Sequence, residues 1–211
     1  MRRTKEEAEL TRQAILSSAM DTFFEKGYSK TTFDEIAKRI NLTKGAVYWY
    51  FRNKPDIVAA LINEFAKEYI LKQHSIISKN ENIDFCDIIK MYLFTNEKIR
   101  TDNQMYKFMF FVFCQMEWSE AVLTKVRPLI EETKEFSRSF VCNTLKNMQI
   151  SGKIKKDVDI NKIAEIIFCT YTGIVEGFLT KRIYCDVDDL VKTSLGLIFD
   201  NIKMEGTNNE N

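Results

Sequence analysis

Glycine and proline are scarce in this chain, and their scarcity constrains the fold more than any other feature. The 211 residues include seven glycines and two prolines. A sandwich or barrel of many strands needs turn residues about every ten positions, so this count disfavours an all-β fold. Hydrophobic residues make up 45% of the chain and charged residues 29%, a balance too apolar for a disordered protein. We therefore expect a folded, all-α protein.

Three helical patterns open the chain. Apolar residues recur at helical spacing from Lys5 to Lys26, and we expect Gly27 to end this helix in a left-handed conformation. The segment Thr32–Glu35 has the spacing of a capping box, which predicts the start of a second helix. Thr43 can cap a third helix, and Asn41 suits the turn before it because asparagine tolerates left-handed backbone angles. Two short helices joined by a tight turn indicate a helix-turn-helix.

The third helix carries an unusual group of aromatic residues. If Val47 and Phe51 point inward, then Tyr48, Trp49 and Tyr50 must largely point outward. Neighbouring exposed aromatic residues indicate an interaction surface. Tyrosine hydroxyls can donate hydrogen bonds to phosphates, so the major groove of DNA fits this surface. The alternative is that these rings pack against neighbouring helices.

Other residues of the same segment also suit DNA. Gly45 and Ala46 are small enough for close approach to another surface, Thr43 can donate to a phosphate, and Lys44 and Lys54 supply cations. Residues 1–55 contain eleven Lys and Arg against seven Asp and Glu, a net of +4, whereas the remaining residues have a net of −3. We expect residues 1–55 to form a DNA-binding domain.

The rest of the chain predicts a second, helical domain over residues 56–205. Its helical patterns cover roughly 54–77, 84–101, 103–117, 119–150, 160–182 and 187–204. We expect Pro128 near a kink or a helix start. Residues 206–211 are expected to form a polar tail.

The N-terminal segments closely resemble the DNA-binding domain of TetR-family transcriptional regulators. The stretches that carry the resemblance are Thr11–Leu16, Gly27–Tyr28, Thr31–Ala37, Leu42–Phe51 and Asn53–Lys54. The residues from Arg2 to Gln13 are similar to the AcrR/TtgR branch of multidrug-efflux repressors. The resemblance implies a TetR-like fold of about nine helices, a homodimer, and a ligand-binding and dimerisation domain after the helix-turn-helix.

The resemblance also implies a role for each DNA-facing residue. It implies that Thr32 and Thr43 touch phosphates and that three small or basic residues approach base edges. It further implies that the aromatic side chains and one lysine anchor the DNA backbone. The implied base-edge residues are Lys44, Gly45 and Ala46, and the implied anchors are Tyr48, Trp49, Tyr50 and Lys54.

The segment from Met105 to Trp118, the belt, is apolar on every side of a helix. Such a belt either closes an ordinary core or lines a cavity for a hydrophobic ligand, because methionine and aromatic side chains suit varied apolar molecules. The predicted ligand residues are Met105, Phe108, Met109, Phe111, Gln115 and Glu117, with Phe136, Phe140, Phe168 and Tyr171 from later helices. The sequence leaves both interpretations open.

Two C-terminal helices predict a dimer interface. Small residues recur along one face of the first, where two mid-helix glycines cost about 1 kcal/mol each relative to alanine unless close helix packing compensates. The predicted interface residues are Ile166, Thr170, Gly173 and Gly177, together with Leu190, Ser194, Leu197 and Ile198. A four-helix dimer interface is expected, and packing within one chain is the alternative.

No pattern in the sequence indicates an enzyme, a cofactor or a metal site. The chain has one histidine, His74, and lacks a glycine-rich phosphate loop and any Cys-x-x-Cys or His-Glu-x-x-His motif. The five cysteines are expected to be reduced core residues. The longest uncharged stretch has ten residues, against the roughly 18 that a membrane span needs, and the charged N-terminal pattern leads us to expect no secretory signal. We expect a cytoplasmic protein without a membrane partner.

These observations predict a ligand-responsive DNA-binding transcriptional regulator. The resemblance implies that it represses at a palindromic double-stranded operator, is released by a hydrophobic small molecule and controls efflux genes. The alternative is a helical dimeric module that organises DNA or binds protein, with a filled core and no small ligand.

Overall fold

The computed structural model describes residues 4–77 and 83–204, except for the side chains of residues 68–77, so the His74 side chain and the predicted polar tail lie outside this description. Its helices are α1 Lys5–Lys26, α2 Phe33–Arg39, α3 Lys44–Tyr50, α4 Lys54–Ile77, α5 Phe85–Thr101, α6 Asn103–Phe110, α7 Glu120–Ile150, α8 Ile160–Leu179 and α9 Val187–Ile202. A π-helical turn, Phe111–Gln115, follows α6 directly. Across the described residues, β-structure is limited to one bridge between Ile154 and Lys203. The predicted all-α fold of about nine helices is confirmed.

Local sequence rules explain the ends of the first helices. Thr32 accepts a hydrogen bond from the Glu35 amide while the Glu35 side chain accepts one from the Thr32 amide, which is the predicted capping box. Asn41 has a positive φ of 56°, as its place in the turn requires. Gly27 also has a positive φ, 79°, but its ψ of 163° is extended and differs from the left-handed helical value expected from the sequence. Glycine accommodates both conformations.

Three details of the later helices differ from the sequence-based expectation. The predicted helix 103–117 stops being α-helical after Phe110, and the chain is extended from Met116. Pro128 lies inside α7, which excludes the helix start, one of its two expected places, and leaves the kink. α8 ends at Leu179, because Lys181 has a positive φ and the amides of Lys181 and Arg182 bond back to the carbonyls of Phe178 and Gly177.

The packing divides the chain into two units, each with its own core. The first comprises the described residues up to Glu68 together with Asp102–Glu131, so that α6 and the start of α7 belong with the helix-turn-helix. Its core is built on Phe23 and Phe111, with apolar side chains from α1 to α4 around them. This division of contacts differs from the boundary after residue 55 that the sequence predicts.

The second unit comprises residues 69–101 and the chain from Glu132 onward. Within it, α9 packs against α5 and α8. Arg100 of α5 forms a bidentate ion pair with Asp188 of α9, at 2.9 and 2.7 Å, and the rings of Phe85 and Phe199 stack at 4.6 Å. None of the described helices combines the length and the hydropathy of a membrane span.

The free cysteines correct one expectation. Cys142 is buried and Cys114 is half-buried, but Cys86, Cys169 and Cys185 are exposed. Cysteine is a small side chain that a helix tolerates on its outer face as well as in its core, so helical periodicity alone does not place it.

Candidate nucleic-acid interface and ligand region

The helix-turn-helix is held to α1 by specific polar contacts. Arg39, at the end of α2, forms two hydrogen bonds with Glu25 of α1, at 2.8 and 2.5 Å. The buried Ser18 hydroxyl of α1 donates to the carbonyl of Ile36 at 2.9 Å. These bonds fix α2 on α1, and α3 packs in turn against α2.

α3 presents two of its three aromatic residues, Tyr48 and Trp49, outward, whereas Tyr50 is half-buried and packs against the core of the first unit. Val47 is fully buried and Phe51 is buried, whereas Trp49 is 75% exposed and Tyr48 is 49% exposed. The rings support one another, because Tyr50 meets the Trp49 ring edge-on at 4.6 Å. The Tyr48 ring also packs on Phe33 at 4.6 Å. The arrangement leaves a packed aromatic surface facing solvent.

The start of α3 is equally accessible. Thr43 caps the helix by accepting a hydrogen bond from the Ala46 amide at 3.2 Å, which leaves its hydroxyl hydrogen free to be donated elsewhere. Lys44 and Gly45 are exposed. A Cβ added at Gly45 would meet only the Thr43 hydroxyl, at 3.9 Å, so this backbone is open to close approach from outside.

Thr32 is less available than the sequence suggests. Its hydroxyl accepts from the Glu35 amide at 3.3 Å and donates to the Glu35 carboxylate at 3.0 Å. The Lys26 ammonium, followed by the backbone and hydroxyl of Thr32, lowers the pKa of Glu35 to about 2, so this carboxylate is ionised at neutral pH. A phosphate contact by Thr32 must therefore compete with a carboxylate beside it.

Lys54 is directed into the protein. Its ammonium donates to the carbonyls of Tyr28 and Ser29, at 2.6 and 3.1 Å, and lies 4.5 Å from the centre of the Tyr28 ring. Burial lowers the pKa of Lys54, and the nearby Glu117 carboxylate opposes that change. Two of its three N–H groups are occupied, so Lys54 clamps the start of α4 to the loop between α1 and α2.

The predicted ligand residues of the belt occupy different surroundings. Phe111 is fully buried and stacks on Phe23 at 5.0 Å, which makes it part of the core. Phe108 is half-buried and stacks on Phe65 of α4 at 4.1 Å. Met105 is buried and Met109 is half-buried.

Two of the predicted ligand residues of the belt are polar, and both contact the DNA-binding part of the chain. Gln115 donates through Nε2 to the carbonyl of Phe24 at 3.1 Å. Glu117 is exposed and accepts a hydrogen bond from the Ser29 hydroxyl. The Gln115 amide nitrogen and the Glu117 carboxylate are thus both engaged by residues of the same unit.

Sequence reasoning missed three residues that make long-range contacts. They join α6 to α1, and they join the segment after the π-helical turn to the loop between α1 and α2. Lys107 of α6 forms an ion pair with Asp21 of α1 at 2.6 Å, and Ser29 is the donor to Glu117. Lys107 and Asp21 are 86 residues apart in the chain. Helical periodicity reports only neighbours within one helix, so no local pattern could have indicated these partners.

The other predicted ligand residues lie in the second unit. Phe136, Phe140 and Phe168 are half-buried, and the Phe168 ring lies 5.9 Å from the Lys134 ammonium. Tyr171 is buried, and its hydroxyl donates to Asn96 Oδ1 at 3.1 Å.

The predicted dimer face is only partly covered by its own chain. Ile166 is 48% and Leu197 is 61% exposed, and Gly173 is exposed with open space where a Cβ would lie. Gly177 differs, because an added Cβ would lie 2.9 Å from the Ile183 side chain of the same chain. The remaining predicted residues are half-buried: Thr170, Leu190, Ser194 and Ile198.

Comparison with known proteins agrees with this geometry. Residues 15–61 match the model of the bacterial regulatory proteins of the tetR family. The chain is 26% identical to the "Probable acrEF/envCD operon repressor" of Escherichia coli K12, over 84% of this chain and 80% of that protein. It is 24% identical to the transcriptional regulator TtgR of Pseudomonas putida, over 94% of this chain and 96% of TtgR.

Solved structures share the fold. NalD of Pseudomonas aeruginosa, the secondary repressor of the MexAB-OprM multidrug efflux pump, superimposes with a TM-score of 0.78 at 18% identity, covering 93% of this chain and 99% of NalD. The complex of SmeT with triclosan gives 0.71 at 21% identity, covering 93% of each chain, and SmeT is the repressor of a Stenotrophomonas maltophilia multidrug efflux pump. The family match over residues 15–61 and the similarity along most of the chain identify this chain as a TetR-family regulator that resembles the E. coli acrEF/envCD repressor and TtgR, and the solved structures share its fold.

Proposed function

We propose that this chain is a transcriptional repressor that binds a palindromic operator as a homodimer and leaves it when a hydrophobic small molecule binds. The observation that carries the proposal is the aromatic surface of α3, where Trp49 is 75% and Tyr48 49% exposed on a helix-turn-helix. Exposed aromatic residues of this density are unfavourable on a free surface and suit a partner that covers them. The similarity to TtgR and to the E. coli repressor supports the same function.

The proposed DNA contacts follow the geometry of α3. Tyr48 and Tyr50 donate to phosphates and Trp49 packs on the DNA backbone, while Thr43 donates its free hydroxyl hydrogen. Lys44, Gly45 and Ala46 face the base edges in the major groove. Thr32 and Lys54 act mainly by holding the helix-turn-helix in position, because their polar groups already bond to other residues of the chain.

The proposed effector is an apolar, aromatic molecule that acts on α6. Phe108 is the belt residue best placed to meet it, because it is half-buried and stacks directly on Phe65 of α4. A molecule that displaces this stack moves α4, whose first residue Lys54 holds the loop before α2. Ligand and DNA then weaken each other's binding reciprocally. Efflux genes are the proposed targets, since the pumps that NalD and SmeT control are efflux pumps.

The proposed dimer uses the exposed face of α8 and α9. Ile166, Gly173 and Leu197 are exposed on helices that pack against each other, which leaves an apolar surface for the same surface of a second copy. Two copies place two α3 helices on the two halves of a palindrome.

Selection from a library of random DNA duplexes tests the DNA-binding function even though the operator is unidentified. We expect enrichment of an inverted repeat, and we expect the enriched duplex to bind far more tightly than a shuffled duplex of equal length. Triclosan, the compound bound in the SmeT complex, serves as the first effector probe. A pool that remains random after selection would contradict the proposal, and an enriched duplex that no apolar compound releases would favour the filled-core alternative.

A further inference from the structure

The segment that follows α6 holds the end of α1 in place. The last carbonyls of a helix have no intrahelical partner. The Phe24 carbonyl, in the last turn of α1, instead receives a hydrogen bond from Gln115 Nε2 at 3.1 Å. Gln115 is the last residue of the π-helical turn, so the end of α1 is capped by a residue from the belt.

The loop between α1 and α2 is clamped from two sides. On one side the Ser29 hydroxyl donates to the Glu117 carboxylate. On the other side the Lys54 ammonium donates to the carbonyls of Tyr28 and Ser29. Ser29 is thus bonded both to the start of α4 and to the exit of the π-helical turn.

This loop sets the position of the recognition helix. Its residue Thr31 is buried and donates to the Gly27 carbonyl at 2.8 Å, and the next residue, Thr32, caps α2. α2 packs against α3, and the Phe33 ring contacts Tyr48 directly. A shift of the loop therefore reaches the aromatic surface of α3 through packed and hydrogen-bonded residues.

Gln115 ends a π-helical turn whose winding can change, and Glu117 follows that turn two residues later. A π-helical turn contains more residues per turn than an α-helix, and such turns are frequent at functional sites. A return to α-helical winding would rotate Gln115 by about 100° around the helix axis, which would break its bond to Phe24 and displace the extended segment that carries Glu117. Gln115 Oε1 is buried without a hydrogen-bond partner among the described residues, so the present arrangement leaves one polar group unsatisfied.

We propose that Glu117, acting through Ser29, is a positioning residue for DNA binding, and that the π-helical turn transmits changes in the belt to the helix-turn-helix through this contact. The inference rests on the proposed function, since it concerns how that DNA binding is controlled. Glu117 itself touches no DNA in this mechanism.

A double-mutant cycle tests this inference on the duplex enriched by selection. We expect Ser29→Ala and Glu117→Ala each to lower the affinity for that duplex about fivefold to tenfold, and the double variant to lower it no further than either single variant. Glu117→Gln keeps an oxygen acceptor for the Ser29 hydroxyl, so its affinity should return to within about twofold of the parent. Glu120→Ala, an exposed carboxylate three residues along, is the matched control and should bind like the parent.

The salt dependence of binding separates positioning from direct contact. A residue that positions the helix leaves the number of phosphate contacts unchanged, so the slope of affinity against salt should stay the same in all variants. Four results would each overturn the inference. They are additive losses of affinity in the double variant, a loss in Glu117→Gln as large as in Glu117→Ala, a shallower slope of affinity against salt, and parent affinity in both alanine variants. Failure to enrich any duplex is a different result, because it would refute the proposed function itself.

Discussion

The hydroxyl of Tyr48 offers a sharp residue-scale test of the DNA surface. The Tyr48 ring packs on Phe33, so alanine would disturb the fold as well as the contact, whereas Tyr48→Phe removes the hydroxyl alone. We expect about a threefold to tenfold loss of affinity, equal on the enriched and the shuffled duplex, because phosphate contacts carry no sequence information. Fluorescence anisotropy measures both affinities. Tyr184→Phe, at a residue that is 98% exposed in the second unit, is the control, and a loss confined to the enriched duplex would argue against a phosphate contact.

The capping box of α2 makes a prediction about acid stability. The pKa of Glu35 is lowered to about 2, chiefly by Lys26, so the folded state binds fewer protons than the unfolded state between pH 4.5 and pH 2. The stabilisation from Glu35 is therefore complete above pH 4.5 and is lost as the pH falls toward 2. Glu35→Gln keeps the cap but cannot titrate, and its melting temperature should fall less steeply than the parent's over this range. Parallel curves would show that the pKa of Glu35 does not change on folding.

Residues whose role is local could be predicted from the sequence, and residues with distant partners could not. Thr32, Asn41 and Thr43 act on backbone groups within a few positions, so their types and spacing were sufficient. The sequence assigns Lys54 to DNA and Glu117 to a ligand, and it gives no local sign that both also contact the loop before α2. Only the fold brings those groups together.

At the scale of the element, two phenylalanines of α6 and the π-helical turn should behave differently. Phe111 should act as a core residue and Phe108 as a residue that meets the ligand. Phe111 is fully buried against Phe23, so Phe111→Ala should cost about 3–5 kcal/mol of stability. Phe108 is only half-buried, so Phe108→Ala should cost less and should chiefly change the release of DNA by triclosan. Thermal melts and anisotropy with increasing triclosan distinguish the two. Equal destabilisation of both variants would indicate that the whole belt is filled core.

The two glycines of α8 separate packing within the chain from packing between copies. Gly173→Ala meets open space within its own chain, so it should stabilise the isolated chain by about 1 kcal/mol through helix propensity and should weaken the dimer. Gly177→Ala should destabilise the chain itself, because the new Cβ would lie 2.9 Å from Ile183. Sedimentation measures the dimer and thermal melts measure the chain. A dimer of parent strength in Gly173→Ala would remove this face from the interface.

The helices themselves followed from periodicity, but their deviations did not. The bounds of α1 and α4 agree with the apolar and capping patterns, because each pattern is complete within its own helix. The π-helical turn was invisible, since a belt that is apolar on every side fits α and π winding equally well. Two residues of the π-helical turn contact Phe23 and Phe24 of α1. Because these partners belong to another helix, no local sequence pattern reports them.

At the scale of the whole molecule, the sequence predicted a division by function and the structure shows a division by packing. The boundary after residue 55 follows the DNA-binding segment, whereas the first packing unit also contains Asp102–Glu131. The ion pair of Lys107 with Asp21 joins α6 to α1 and helps to explain this unit. The belt that is proposed to sense the ligand is therefore part of the body that is proposed to read DNA.

The number of chains on the enriched duplex is the measurement that decides whether this protein is a dimeric operator-binding regulator. Native mass measurement counts the chains on each duplex, and anisotropy over a salt series gives the slope of affinity on the same sample. We predict two chains per duplex, a steep loss of affinity with salt, and weak binding to the shuffled duplex. One chain per duplex, or equal affinity for both duplexes, would contradict that function.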